Sequence, residues 1–267
     1  MINNQVQDLT YLKWSHIRKS SGTAGSFLKS ESSLSGIKTY YKLSDYNPIL
    51  GVVGHECVNE IIVDRLLSLL GVEHLSYQLI HADIIVEGKP MTTYLCASTD
   101  FKTRGDSKIA MDDYYTFNAT SGENRYDFCK RMGWQQYIDT MLAIDYIILN
   151  RDRHGANIEI LRNSRAHTLR IAPLFDHGLS LLYSCMNDKE AQAFDVLADL
   201  KCNNFIGGYS CFDNLKFIEK RNSVFPNKLD KSSKMQLFEG LEGILSETFI
   251  EKIWQMIYKR YEIYENI

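Results

Sequence analysis

Apolar positions recur at helical spacing in three stretches of the chain. Val58, Ile61, Ile62, Leu66, Leu69 and Leu70 predict a helix over 55–70, stopped by Gly71. Met141, Leu142, Ile144, Asp145 and Ile148 mark a second helical face over 138–149. Phe249, Ile250, Ile253, Trp254, Met256, Ile257 and Tyr261 predict a third over 247–261, packed on the body of its own fold rather than on a membrane. Elsewhere the pattern turns extended. Segment 36–44 is β-prone, with Lys38, Tyr40 and Lys42 on one side; 77–86 and 91–97 read as strands joined at Glu87-Gly88-Lys89-Pro90. Segments 158–161 and 169–172 read as a hairpin around Arg162-Asn163-Ser164, closed by Pro173. From Phe101 to Asn124 the expectation is a long connection with a short helix at best, turning helical from Tyr126.

Strands therefore dominate the first part and helices the second, an α+β arrangement with a boundary near Phe101. With 267 residues, 45% of them hydrophobic, the chain can bury a sizeable core and divide into two lobes, 1–100 and 101–267. The formal charge of −3 and the lack of a long basic run give no strong nucleic-acid or anionic-membrane signal. No leading signal peptide or membrane-spanning run is evident, and the six cysteines lack CxxC spacing. These features lead to the expectation of a cytoplasmic protein with reduced, mostly structural thiols.

The chemistry concentrates in Asn150-Arg151-Asp152-Arg153-His154-Gly155-Ala156-Asn157, followed by Phe175-Asp176-His177-Gly178. Two carboxylates and a carboxamide stand in the order and spacing that phosphoryl transfer from Mg-ATP uses: a base Asp, an Asn five residues on, and a second Asp on a later loop. Mg2+ takes hard oxygen ligands, which Asn157 and Asp176 supply, and Asp152 is then the group that orients an acceptor hydroxyl and takes its proton. His154 is expected to brace the loop, not to bind metal. Asn and Asp also favour turns and caps, so a helix-ending turn at 150–152 and a cap at Asp176 are the plain alternative.

These motifs resemble the HipA-like kinases and, more distantly, the phosphatidylinositol kinases. Asp152-Arg153-His154-Gly155-Ala156-Asn157 is similar to the Asp-Arg-His-x-x-Asn loop of the lipid kinases, and Ala172-Pro173-Leu174-Phe175-Asp176 to the Ala-Pro-x-x-Asp segment of HipA-like proteins. The resemblance runs from about Ser20 to the C-terminus. It implies a two-lobed protein-kinase-like fold with a small antiparallel-sheet N-lobe and a mostly helical C-lobe. It also implies ATP with Mg2+ or Mn2+ as cofactors and transfer to a Ser or Thr hydroxyl of a protein, the chain itself included. A small-molecule or lipid acceptor, or a nucleotide-binding regulatory module of a toxin–antitoxin pair with little transfer, are the alternatives. An antitoxin-like partner belongs to the same implication.

Further site residues follow from the resemblance. The glycine-bearing stretch Ser20 to Lys29 stands where a loop covers ATP phosphates, with Gly22, Thr23, Ala24, Gly25 and Ser26 as its binding residues; by itself Gly22-x-x-Gly25 reads better as a plain hairpin turn. HipA-like proteins open this loop with a serine that can be phosphorylated. Here Gly22 stands at that position, beside Ser21, with Ser20 and Ser26 as further acceptors. The stretch Ser30 to Ser35 is a flexible tip or a further phosphoacceptor. Lys38 and Lys42 share a strand side, and the resemblance assigns Lys42 to the α- and β-phosphates. Glu56 and Glu60 share a helix face that spacing cannot divide, and the Asn59-Glu60 pair matches the family's, making Glu60 the partner of Lys42. By the same resemblance Ser98, Thr99, Asp100 and Phe101 take the place of the adenine-binding hinge, although an ordinary surface loop carries a similar string.

Overall fold

A computed structural model describes residues 2–17, 24–33, 36–219 and 224–267. Strands β1 (Ile2–Asp8), β2 (Ser15–Ile17), β3 (Ala24–Ser32), β4 (Thr39–Leu43), β5 (Tyr46–Asn47) and β6 (Gly51–Val52) precede helix α1 (Glu56–Leu70). Strands β7 (Gln78–Val86) and β8 (Lys89–Thr99) complete a six-stranded sheet of order β1-β7-β8-β4-β3-β2. All its pairs are antiparallel except β1 with β7, so a parallel edge strand joins the antiparallel sheet that was expected. Leu9, Leu12 and Trp14, just after β1, pack over Leu43, Ile80, Ala82, Ile84 and Leu95 and close one face of the sheet.

Helix α1 covers the other face. Its Val58, Ile61, Ile62, Leu66, Leu67 and Leu70 belong to the same apolar cluster as the helices that follow, so α1 is buried on both flanks. It ends where Gly71 adopts φ 73°, and the Gly71 and Val72 amides donate to the carbonyls of Ser68 and Leu67 at 3.1 and 2.9 Å.

Past Thr99 the chain leaves the large sheet. It forms β9 (Asp106–Ala110), α2 (Met111–Asn118), α3 (Arg125–Arg131), α4 (Gln135–Ile147), β10 (Asp152–Arg153), β11 (Glu159–Asn163), β12 (Thr168–Ile171), α5 (Asp188–Ala193), β13 (Asn203–Asn204), α6 (Cys211–Asn214), α7 (Ser233–Phe238) and α8 (Glu247–Asn266). The connection expected over 101–124 is thus more structured than its charge and glycine content suggest. β9 is an outer strand of a second sheet, β12-β11-β9, and α2 starts directly after it. Pairing with β11, from Asp106 opposite Asn163 to Ala110 opposite Glu159, supplies the order that local propensity lacks. That pairing also carries β11 to Asn163, which had read as a turn residue. Helix α4 begins three residues earlier than expected, at Gln135, and α8 runs on to Asn266. Gly22, Thr23, Ser20 and Ser21 lie outside the described residues, as do Leu34 and Ser35 of the serine-rich stretch; Ala24, Gly25 and Ser26 open β3.

Among the described residues no helix is long and apolar enough to cross a membrane. The six cysteines are free thiols and all buried.

Candidate active site

Lys42 lies in β4, paired with Lys29 of β3 on one side and Cys96 of β8 on the other. Its Nζ donates to Glu60 Oε1 at 2.9 Å and to Asp176 Oδ1 at 2.7 Å, and lies 4.9 Å from the Phe27 ring centre. Burial opposes its charge, but the Asp176 and Glu60 carboxylates outweigh burial and hold the ammonium well above its ordinary pKa. Lys38, on the same strand side, pairs with Glu31 at 2.9 Å in a half-exposed position.

The two glutamates separate by depth. Glu60, fully buried, reaches Lys42 with one oxygen and accepts the His177 backbone N–H at 2.9 Å with the other. Glu56, at the first position of α1, accepts the Asp45 backbone N–H at 3.0 Å, and burial pushes its carboxyl up. Asn59 donates to the carbonyls of Gly178 and Ser180 at 3.1 and 3.0 Å, so α1 holds the segment after Asp176 at three successive points. A Cβ on Gly178 would sit 3.1 Å from Lys42 Nζ and 3.4 Å from Glu60 Oε1; glycine is what lets the backbone approach the ion pair this closely.

Asp176 has φ 60°, a left-handed conformation uncommon outside glycine, and its N–H donates to the Tyr77 hydroxyl at 3.3 Å. His177 is buried next to it. Its Nδ1 stands 3.9 Å from Glu60 Oε2, too far for a hydrogen bond, and burial followed by the Arg153 charge holds the imidazole neutral.

The loop carrying Asp152 and Asn157 is fixed by a buried ion pair absent from the sequence reading. Arg153 and Asp145 are each about 1% exposed, and the guanidinium meets the carboxylate at 3.0–3.3 Å. Arg153 Nη1 also donates to the Phe175 carbonyl at 2.7 Å and the Asn157 carbonyl at 3.3 Å. One side chain therefore ties the loop holding Asn157 to the residue before Asp176. Asp145 had been read as part of an apolar helix face. A carboxylate among Ile144 and Ile148 requires a buried partner, and that requirement was the available signal. Tyr77 carried no comparable signal.

Within the loop, Asn157 Nδ2 donates to the Asp152 carbonyl at 3.0 Å, which fixes the orientation of the carboxamide. His154 Nδ1 accepts the Ala156 N–H at 3.1 Å, a bracing role in keeping with the expectation. Arg151 N–H donates to the Leu179 carbonyl at 2.9 Å and Leu181 N–H to the Ile148 carbonyl at 2.7 Å, aligning this loop with the segment after Asp176.

At the end of β8, Ser98 and Thr99 pair with Tyr40 and Thr39 of β4, beyond Ala97, where pairing with β7 stops. The Asp100 N–H donates to the Lys38 carbonyl at 3.2 Å and so is already engaged. The Phe101 ring lies 5.7 Å from that of Phe175, with Lys108 Nζ 4.2 Å from its centre.

Among the described residues no cluster of three or more His, Cys, Asp or Glu side chains is arranged to hold a metal. The oxygen donors that could hold a cation here are the carboxylate of Asp176 and the carboxamide of Asn157, whose segments Arg153 ties together. That set suits a hard divalent cation that keeps water and shares ligands with a phosphate, and is too small for a closed protein cage.

No protein-family model matches the sequence, and no curated protein does. Among solved structures the chain is similar to the Helicobacter pylori proinflammatory kinase CtkA, with a TM-score of 0.63 and 16% identity over 98% of this chain and 97% of that one. It also matches HipA of Shewanella oneidensis MR-1, solved with HipB and operator DNA, with a TM-score of 0.49 and 13% identity over 94% of this chain and 67% of that one. The large sheet with its buried helix, followed by the smaller sheet and helical body, gives this chain the α+β kinase-like fold of CtkA, the fold class its sequence led us to expect.

Proposed function

We propose that the chain is an ATP- and Mg2+-dependent phosphotransferase whose acceptor is a Ser or Thr hydroxyl of a protein, including its own. The observation that carries this reading is the contact of Lys42 with both Glu60 and Asp176, made by a strand, a helix and a distant loop. An isolated turn or helix cap has no need of that convergence. Lys42 is the phosphate-binding lysine, Glu60 fixes it, and Asp176 and Asn157 are the ligands for Mg2+. When bound, the metal would neutralise charge on the β- and γ-phosphates. Asp152 orients the acceptor hydroxyl and receives its proton.

In this reading the N-terminal lobe is 1–100 and the helical lobe 101–267, with adenine at the β8 edge near Ser98, Thr99 and Phe101. The engaged N–H of Asp100 argues against that group as an adenine donor. The glycine-bearing residues Gly22 to Ser26 would cover the phosphates. An antitoxin-like partner rests on the sequence resemblance alone.

The test is incubation of the purified chain with γ-labelled ATP, Mg2+ and a lysate of its host, alongside Asp152→Ala and Asp176→Asn. Label should appear in protein as phosphoserine or phosphothreonine and be lost in both variants. Label recovered only in extracted lipid or small molecules would transfer the reading to that acceptor class. Nucleotide binding with no label transferred would reduce the chain to a binding module.

A further inference from the structure

We propose that Asn203 is a positioning residue for the Asp152 carboxylate, an inference that rests on the reading of Asp152 as the acceptor-side base. Strand β13 pairs in parallel with β10, in a register that sets Asn203 opposite Asp152 and Asn204 opposite Arg153. The Asn203 N–H donates to the Arg151 carbonyl at 2.9 Å, the Phe205 N–H donates to the Arg153 carbonyl at 2.8 Å, and the Arg151 guanidinium donates to the Lys201 carbonyl. Successive residues of a strand face opposite ways. Asn204 faces the buried Asp145, donating to its Oδ2 at 3.4 Å, and Asn203 faces Asp152, donating through Nδ2 to Oδ1 at 3.3 Å.

Among the described residues no other side chain donates a hydrogen bond to that carboxylate. The Asp152 N–H donates to Asn150 Oδ1 at 3.2 Å and its carbonyl accepts Asn157 Nδ2 at 3.0 Å, but both contacts hold the main chain. His154 Nε2 stands 3.7 Å from Asp152 Oδ2, beyond hydrogen-bond distance. Asn203 therefore supplies the side-chain donor that selects the carboxylate rotamer of a partly exposed aspartate. A base must hold its geometry closely, because small displacements of a reacting group cost large factors in rate. A carboxamide suits this task better than Lys or Arg. It fixes one oxygen by donation without a full positive charge, which would make the carboxylate a weaker proton acceptor. The second oxygen then serves the acceptor hydroxyl.

The experiment compares Asn203→Ala, Asn203→Asp and Asn203→Gln with the wild-type chain and Asp152→Ala, using γ-labelled ATP, Mg2+ and casein as a generic acceptor. Asn203→Ala should lower kcat by about 10²-fold while KM for ATP holds and the thermal midpoint falls only slightly. Asn203→Asp keeps the shape, removes the donor and adds a like charge, so its kcat should fall at least as far; Asn203→Gln should recover part of the loss. If Asn203→Asp outperforms Asn203→Ala, or if the losses appear only in KM for ATP or in thermal midpoint, the residue is structural and the proposal is overturned. Turnover retained by Asp152→Ala would instead overturn the base reading. Denaturant unfolding of Asn203→Ala, Asp152→Ala and their double variant decides the contact without any turnover. The double variant should lose less stability than the two single losses together, and strict additivity would refute the interaction.

Discussion

Lys42 and Asp176 are 134 positions apart and meet at 2.7 Å. The ammonium comes from the large sheet and the carboxylate from a loop following the smaller one, so this ion pair ties the two sheets' parts of the fold together. If the chain binds Mg-ATP as proposed, Asp176 would have to serve both Lys42 and the metal, and the phosphates would offer Lys42 a second anionic partner.

Nucleotide binding should therefore be metal-dependent and sensitive to Asp176. Ligand held only by the native state raises stability, by about 2.7 kcal/mol at a ligand concentration one hundred times Kd. The wild-type thermal midpoint should rise with ATP plus Mg2+ and much less with ATP and EDTA, and Asp176→Asn should lose most of the metal-dependent part. An undiminished metal-dependent shift in Asp176→Asn would remove that residue from the site.

Chemistry and binding should separate at Asp152. Its carboxylate makes no contact with Lys42, Glu60 or Arg153 among the described hydrogen bonds and ion pairs, and the proposed function gives it a part in transfer alone. Asp152→Ala should lower turnover by about 10²- to 10⁴-fold with the Mg-ATP thermal shift retained. Lys42→Ala should weaken both. Loss of the shift in a folded Asp152→Ala would refute this division of roles.

The Arg153–Asp145 pair should matter to folding as much as to function. Removing one member of a buried ion pair leaves the other charge uncompensated, at a cost of about 3–5 kcal/mol. Arg153→Met also releases the Phe175 and Asn157 carbonyls that the guanidinium holds. Urea unfolding should show this loss for Arg153→Met. The double variant with Asp145→Leu should be more stable than Arg153→Met alone, and a double variant that is less stable would count against the charge as the cause.

Local pattern made α1, α8 and the β7–β8 hairpin legible, because each has an apolar period that its final burial preserves. The order of Asp152, Asn157 and Asp176 stands in the sequence itself, and the fold adds the Arg153 side chain that ties the Asn157 carbonyl to the residue before Asp176. Long-range pairing was not. β9 gains its strand from β11, β13 from β10 and β1 from β7, and none of these partners is adjacent in sequence. Glu56 and Glu60 share a helix face in any sequence reading; only the depth of Glu60 and the backbone of His177 above it separate them. Arg153 beside Asp152 looks in the sequence like one more loop cation, and only the fold joins it to Asp145, Asn157 and Phe175.

Acid should destabilise the fold through His55. Its ring lies edge-on to Phe249 with centroids 5.2 Å apart, and burial, against a weaker opposing backbone bond to Leu182, lowers its pKa from 6.5 to about 4. The unfolded chain takes up a proton near pH 6.5 that the folded chain refuses until about pH 4. Between those values the unfolded state binds more protons, so stability falls as pH falls, by a total on the order of 3 kcal/mol for this group. Above pH 6.5 both states hold His55 neutral and its contribution is constant. His177 is lowered in the same direction by burial and by Arg153, and it extends the loss further into acid. Denaturant unfolding at about pH 7 and about pH 5 should show a smaller stability difference for His55→Leu than for the wild type. An equal difference in the two proteins would show that the imidazole takes up its proton as readily folded as unfolded, and the acid sensitivity would then belong to other groups.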